Sequence, residues 1–126
     1  MKDARVRLSG EAIVTAVAAA MVDRKAEEIA IFDMRGVSTV SDWFLICSAN
    51  GPVHGRALAQ GIVSDLRDRR QAPVYHEGVE DGRWALIDYV DVVAHVMIPE
   101  LREYYQIEEL WHQGRRCGPA EFAREG

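Results

Sequence analysis

The chain reads as an α/β (α+β) domain, a mixed β-sheet of about five strands flanked by helices. Three observations predict this class. Apolar residues recur at helical spacing in two long stretches that alternate with runs of β-branched and aromatic residues. The segment Trp43–Ala49 is apolar on both faces, as a strand in the middle of a covered sheet must be. Arg83–Ile98 alternates on either side of Tyr89-Val90, as two strands folded back on each other do. A length of 126 residues suits one domain with one core and excludes a TIM barrel.

Taken in order, residues 1–8 are charged and predict a flexible N-terminus, followed by one folded domain over 9–111. Ser9 is a good N-cap, Glu11 complements the helix dipole, and Ile13, Ala16, Val17, Ala20 and Met21 carry a helix to about Arg24. Glu28–Asp33 predicts a strand, and Met34–Asp42 a loop built on Gly36 and hydroxyl residues. After the Trp43–Ala49 strand, Asn50-Gly51-Pro52 breaks the sheet and opens a helix to about Arg70. Val53, Ala57, Leu58, Ile62 and Leu66 form its buried stripe, and Gly55 and Gly61 weaken it. Val74–Glu77 predicts an edge strand behind Pro73. A helical piece opens at Pro99, and Tyr104, Tyr105 and Trp111 are read as its seal against the sheet. Residues 112–126 predict a flexible polar tail with Arg115-Arg116 solvated.

The hairpin draws the most attention. Pairing about Tyr89-Val90 sets Asp88 opposite Asp91, Leu86 opposite Val93 and Trp84 opposite His95. Trp84, Leu86, Asp88, Asp91, Val93, His95 and Met97 then share one face. The other face carries Ala85, Ile87, Val92, Ala94, Val96 and Ile98 and is the natural core. The first face, with a Trp, a His, a Met and carboxylates, has the composition of a contact surface.

The net charge is −5, and no Lys/Arg run precedes the tail. Such a chain is a poor sequence-independent ligand for nucleic acid, no sequence-specific nucleic-acid contact is expected, and a basic protein is the better direct partner. The two cysteines, Cys47 and Cys117, suggest neither a zinc site nor a disulfide framework and read as reduced thiols of a cytoplasmic protein. No segment resembles a signal peptide or a membrane span.

Read residue by residue, Trp84 and His95 are a cross-strand pair, equally compatible with a core pair under a helix and with an exposed binding pair. Asp88 and Asp91 suit a metal or acid–base pair, turn residues bonding their own backbone, or rim carboxylates meeting Lys or Arg. The turn reading has the stronger prior, and no metal or cofactor is expected. Cys47 with His54 is the one conceivable nucleophile–base pair, but a thiol in an apolar strand is quiet. Asp33 lacks the alternate carboxylate and preceding Gly-Ser that magnesium-dependent nucleotidyl transfer needs, and Asp42 reads as a loop cap. No catalytic residue is assigned.

Several segments together resemble the ribosomal silencing factor family (RsfS, also Iojap or YbeB). They are Asp33 with Ser38–Phe44, Cys47-Ser48-Ala49 followed by His54, Trp84–Tyr89, Asp91–Val96, and Arg102 with Tyr105, Ile107-Glu108 and Leu110-Trp111. The resemblance spans about Glu28 to Trp111. It implies a fold similar to nucleotidyltransferases and a translation repressor without enzymatic activity. Such a repressor binds the large ribosomal subunit through its uL-type protein number fourteen and blocks subunit joining. It further implies a partner surface of Trp84, Asp88, Tyr89, Asp91 and His95, to which the face argument adds Leu86 and Met97. The family usually has glycine where Val90 stands, and a β-branched residue disfavours positive φ, so a wider turn is expected. The alternative function is a small nucleotide-binding or phosphotransfer enzyme of nucleotidyltransferase-like fold. An uncovered partner face and the 74–77 edge also predict a homodimer in the free protein.

Overall fold

Ser9 starts the first helix as expected. Its hydroxyl accepts the Ala12 amide at 3.1 Å, and α1 follows over Gly10–Asp23. The chain is described by a computed structural model that covers residues 7–122. Strand β1 (Glu27–Asp33) pairs antiparallel with β2 (Trp43–Ser48), every residue of which is buried. Helix α2 (Pro52–Asp68) begins with proline in its first turn, where the missing amide hydrogen costs nothing. Then come β3 (Tyr75–Glu77), β4 (Trp84–Asp88), β5 (Val92–Met97) and a seven-residue helix α3 (Pro99–Tyr105). A 3-10 helix over Ile107–Trp111 follows.

The sheet order is β3-β4-β5-β2-β1-β6, with β6 formed by Arg115–Cys117. Among its pairings only β2 and β5 are parallel, so the sheet is mixed. Helices α1 and α2 cover one face. Their core includes Val14, Val17, Met21, Leu58, Ile62 and Leu66 against Leu45, Ile87, Val92 and Val96. The second face is half covered. Trp111 and its neighbours pack on Phe32, Phe44, Ile46, Val93 and Met97.

The expectations for α2 need correction: Val53 and Ala57 are exposed, and the buried side of the helix is Gly55, Leu58, Ala59, Gly61, Ile62 and Leu66. Gly55 and Gly61 do more than weaken α2. A Cβ on Gly55 would stand 1.9 Å from the Gly82 carbonyl oxygen, and one on Gly61 would stand 2.0 Å from Arg24 Nε. Both glycines therefore mark places where another part of the chain must come close. At the second of them Arg24 reaches Asp65 with two hydrogen bonds of 2.9 and 3.0 Å, tying the end of α1 to α2.

The other correction concerns the tail. Residues 115–117 form a sixth strand, β6 (Arg115–Cys117), antiparallel to β1, and a 3-10 turn follows over Pro119–Phe122. Alternation explains what polarity concealed. Cys117 sinks into the α1-side core, while the Arg116 guanidinium lies 5.4 Å from the Phe32 ring centre on the other face. Phe122 then packs edge-on against Trp43 at 5.6 Å. A chain ending at Gln113 loses these contacts and uncovers Trp43. It is expected to be about 2 kcal/mol less stable in urea unfolding, and an unchanged midpoint would show β6 to be dispensable.

Candidate functional site: the β4–β5 hairpin face

The hairpin forms, but its register lies two residues from the expected one. Trp84 faces Met97, Leu86 faces His95 and Asp88 faces Val93. The turn explains the shift. The Tyr89 amide donates to the Val92 carbonyl at 2.8 Å, so the tip is Val90-Asp91 rather than Tyr89-Val90. Because side chains alternate with period two, a slip of two residues leaves each on its expected face. It also converts the Trp84–His95 pair from directly opposed to diagonal.

The turn is tight, not wide. The Asp91 amide donates to the Tyr89 carbonyl at 3.0 Å, closing a three-residue turn with Val90 at its centre and φ at 78°. That conformation is costly for a β-branched residue, and its surroundings hold it there. Asp88 Oδ1 accepts the Val90 amide at 2.8 Å, and the buried Ser41 hydroxyl donates to the Val90 carbonyl at 3.0 Å. The Asp91 carbonyl accepts both the Asp42 and Trp43 amides, at 3.1 and 3.0 Å. Asp88 thus plays the turn role, and Asp42 anchors the loop through its peptide. Ser41, which sequence reasoning passed over as one hydroxyl among several, is the residue that fixes the tip.

The seven singled-out residues divide by exposure. Trp84, Leu86, Asp88 and Asp91 are half-exposed. Met97 and His95 lie on the same side but are 0% and 7% exposed, beneath or beside Trp111. Tyr89 does not belong to that face. It is 2% exposed and sits in the α1–α2 core. Its hydroxyl is buried with no hydrogen-bond partner among the described residues, and burial raises its pKa. The resemblance had implied an outward Tyr89, whereas alternation continues from Ala85 and Ile87 to put it on the core side, where it lies.

Between Trp84 and His95 lies a specific polar contact. The indole Nε1–H donates to His95 Nδ1 at 3.1 Å. An accepting Nδ1 requires the neutral ring with its proton on Nε2. Burial favours the same state, pushing the imidazole pKa down to about 4.

Tyr104 and Tyr105 depart from the expected seal. They are 77% and 51% exposed. Tyr105 packs on Trp84 with ring centres 5.1 Å apart, and Tyr104 meets Tyr105 edge-on at 4.9 Å. Of the three aromatic residues, Trp111 is the one that seals the sheet, stacked on Phe44 at 4.6 Å with Leu101 and Ile107 packed beside it. The segment is positioned by Arg102. Its guanidinium donates to Glu108, to Ser48 Oγ at 2.9 Å and to the Glu28 carbonyl at 2.8 Å.

The remaining candidates are structural. Cys47 is fully buried, and desolvation pushes its thiol up to about 12. His54 uses both ring nitrogens, one facing the Asn50 amide at 2.9 Å and the other the Arg24 carbonyl at 2.8 Å. It latches the two helices together and has no nitrogen left for a thiol. Asp33 is held by Arg35 through bonds of 2.9 and 2.8 Å, which lower its pKa. Among the described residues, no three His, Cys, Asp or Glu side chains are grouped to hold a metal, and no helix is long and apolar enough to cross a membrane.

The architecture defines a class, a small α+β domain with helices on one sheet face and an aromatic, half-open strip on the other. The model for "Ribosomal silencing factor during starvation" matches residues 8–125. The ribosomal silencing factor RsfS of Bacillus subtilis is 38% identical over 82% of this chain and 88% of its own. A Chromobacterium violaceum crystal structure superposes with a TM-score of 0.80 at 30% identity, covering 83% of this chain and 88% of that one. The mouse "Mitochondrial assembly of ribosomal large subunit protein 1" is 30% identical over 68% of this chain, which spans 39% of the mouse protein. The chain belongs to the ribosomal silencing factor (RsfS) family.

Two outcomes are expected from the hairpin chemistry. His95 is neutral when folded but protonates in the unfolded chain near 6.5, so its contribution is intact above that pH and is lost as pH falls toward 4. The loss is about 3 kcal/mol, read as the difference in urea stability between pH 7 and pH 4, and His95→Gln flattens that part of the dependence. Val90→Gly relieves the turn and is expected to raise stability by about 1 kcal/mol, since Val90 packs little. A lower unfolding midpoint would show the valine to be unstrained.

Proposed function

We propose that this protein is a ribosomal silencing factor that docks on the large ribosomal subunit through its uL-type protein number fourteen. Seated there, it blocks the approach of the small subunit and so represses translation in the cytoplasm. The action is steric and requires no catalytic step. The observation that carries this reading is the half-open strip on the β4–β5 hairpin, in which Trp84 and Leu86 lie beside Asp88 and Asp91. A tryptophan buries much area at small rotamer cost, and rim carboxylates orient a basic partner. Family membership supports the ribosome as target, and the large-subunit wording in the mouse relative's name supports which subunit.

The reading gives the seven residues two kinds of work. Trp84, Leu86, Asp88 and Asp91 meet the partner. His95 and Met97 support them from behind, His95 through its bond to the indole, and Tyr89 anchors the turn in the core. In the free protein the same strip is open to a second copy, which makes self-association part of this reading.

The test is co-sedimentation with purified large subunits together with a subunit-joining assay. Trp84→Ala is expected to weaken sedimentation at least about tenfold and to restore joining. Unchanged sedimentation by a folded Trp84→Ala protein would move the docking site elsewhere.

A further inference from the structure

The exposed tyrosines of α3 remain unexplained by the fold. Tyr105 lies against Trp84, and Tyr104 against Tyr105, giving a continuous row of three rings that climbs from the sheet onto the helix. A tyrosine that is 77% exposed in a seven-residue helix contributes little to the core, so packing does not account for Tyr104.

The unpaired charges near the row are acidic, since the exposed Arg83 beside Trp84 is paired with Asp81 and Arg102 with Glu108. Tyr75 pairs with Asp88 and Glu77 with Leu86, so alternation puts Glu77 and Asp88 on the same face as Trp84. No Lys or Arg of β3, β4 or β5 accompanies them. Residues 99–111 add Glu100, Glu103 and Glu109, while Glu108 is taken up by the single Arg102, whose guanidinium also points inward to Ser48 and the Glu28 carbonyl. His95 adds no charge while it accepts the indole proton.

We propose that the Trp84–Tyr105–Tyr104 row is a guanidinium-binding surface that takes arginine side chains of a basic protein partner. Rings supply faces for a planar cation, and the surrounding carboxylates supply charge and hydrogen-bond acceptors. Arginine fits better than lysine because its flat, weakly hydrated head stacks while its edge still donates. The same carboxylates repel a phosphate backbone, which disfavours nucleic acid. This extends the docking strip onto α3 and rests on the docking reading above for the identity of the large target.

The test titrates the full chain at low salt with hexa-arginine, hexa-lysine and oligoadenylate, following the Trp84 indole and Tyr105 ring resonances. Hexa-arginine is expected to shift both and to bind at least about threefold more tightly than hexa-lysine. Tyr105→Ala is expected to weaken it by about threefold or more, with Tyr105→Phe close to the parent because the ring does the work. Tyr104→Ala, at an exposed site, supplies a second variant that keeps the fold. Equal response to lysine, preference for oligoadenylate, or indifference to both alanine variants would overturn the proposal. Co-sedimentation separates it from the docking reading. Large subunits that bind Tyr105→Ala as tightly as the parent sink the arginine row and leave docking standing. Selective arginine binding by a chain that ignores large subunits does the reverse.

Discussion

The constraint on which the rest of the molecule depends is the inward-pointing guanidinium of Arg102. Its side chain is 13% exposed, and a cation in that position must be paired to be tolerated. The chain supplies a Glu108 carboxylate from six residues on, a Ser48 hydroxyl from the end of β2 and a carbonyl from Glu28. The last contact carries its own cost. Glu28 has φ at 52°, beside an irregularity in the β1–β2 pairing, a conformation in which its carbonyl meets the guanidinium. One side chain therefore ties the C-terminal segment to two adjoining strands. Lysine could not replace it, because a single ammonium lacks the rigid fork that reaches three acceptors.

From that attachment follows the division of the second sheet face. With α3 and the 3-10 helix fixed over β1 and β2, Trp111 lies flat on Phe44 and seals the middle of the sheet. The cover stops there, and the β4 half of the face is left with Trp84 and Leu86 only partly buried. Tyr105 overlaps Trp84 at the boundary. Core and open strip are thus one continuous apolar surface, divided by where a helix of seven residues happens to end. That continuity holds the exposed rings in place, since Tyr104 leans on Tyr105, Tyr105 on the half-buried Trp84, and Trp84 on the buried His95.

Much of this was legible in the sequence. The helix start at Ser9, the doubly buried β2, the edge position of β3 and the two faces of the hairpin all follow from local rules that tertiary context did not override. Period-two alternation preserved the faces even though the register moved by two. The register itself was not legible, because the turn was centred on Tyr89-Val90, whereas the Tyr89–Val92 bond and the groups that hold Val90 at positive φ put the tip at Val90-Asp91. Strand β6 was hidden because an arginine-rich edge strand has the composition of a tail. Only pairing with β1 shows that Cys117 points inward. Tyr104 and Tyr105 were misassigned for a related reason. A helix that ends at Gln106, with φ at 48°, is too short for periodicity to tell its buried side from its open one.

The strained turn and the buried imidazole are best understood together. Each stores a cost, a β-branched residue at positive φ in one case and a desolvated titratable ring in the other. Each is compensated by a bond that also orients a neighbour on the open strip. The Asp88 carboxylate that receives the Val90 amide is held at the tip of the hairpin, and the His95 ring that accepts the indole proton fixes the plane of Trp84. A surface whose side chains are already fixed loses less entropy when it meets a partner. The costs in the hairpin therefore fall where rigidity is useful, at the two ends of one strip. Sequence alone could identify the residues of that strip, but not the turn bond and ring bond that hold them still.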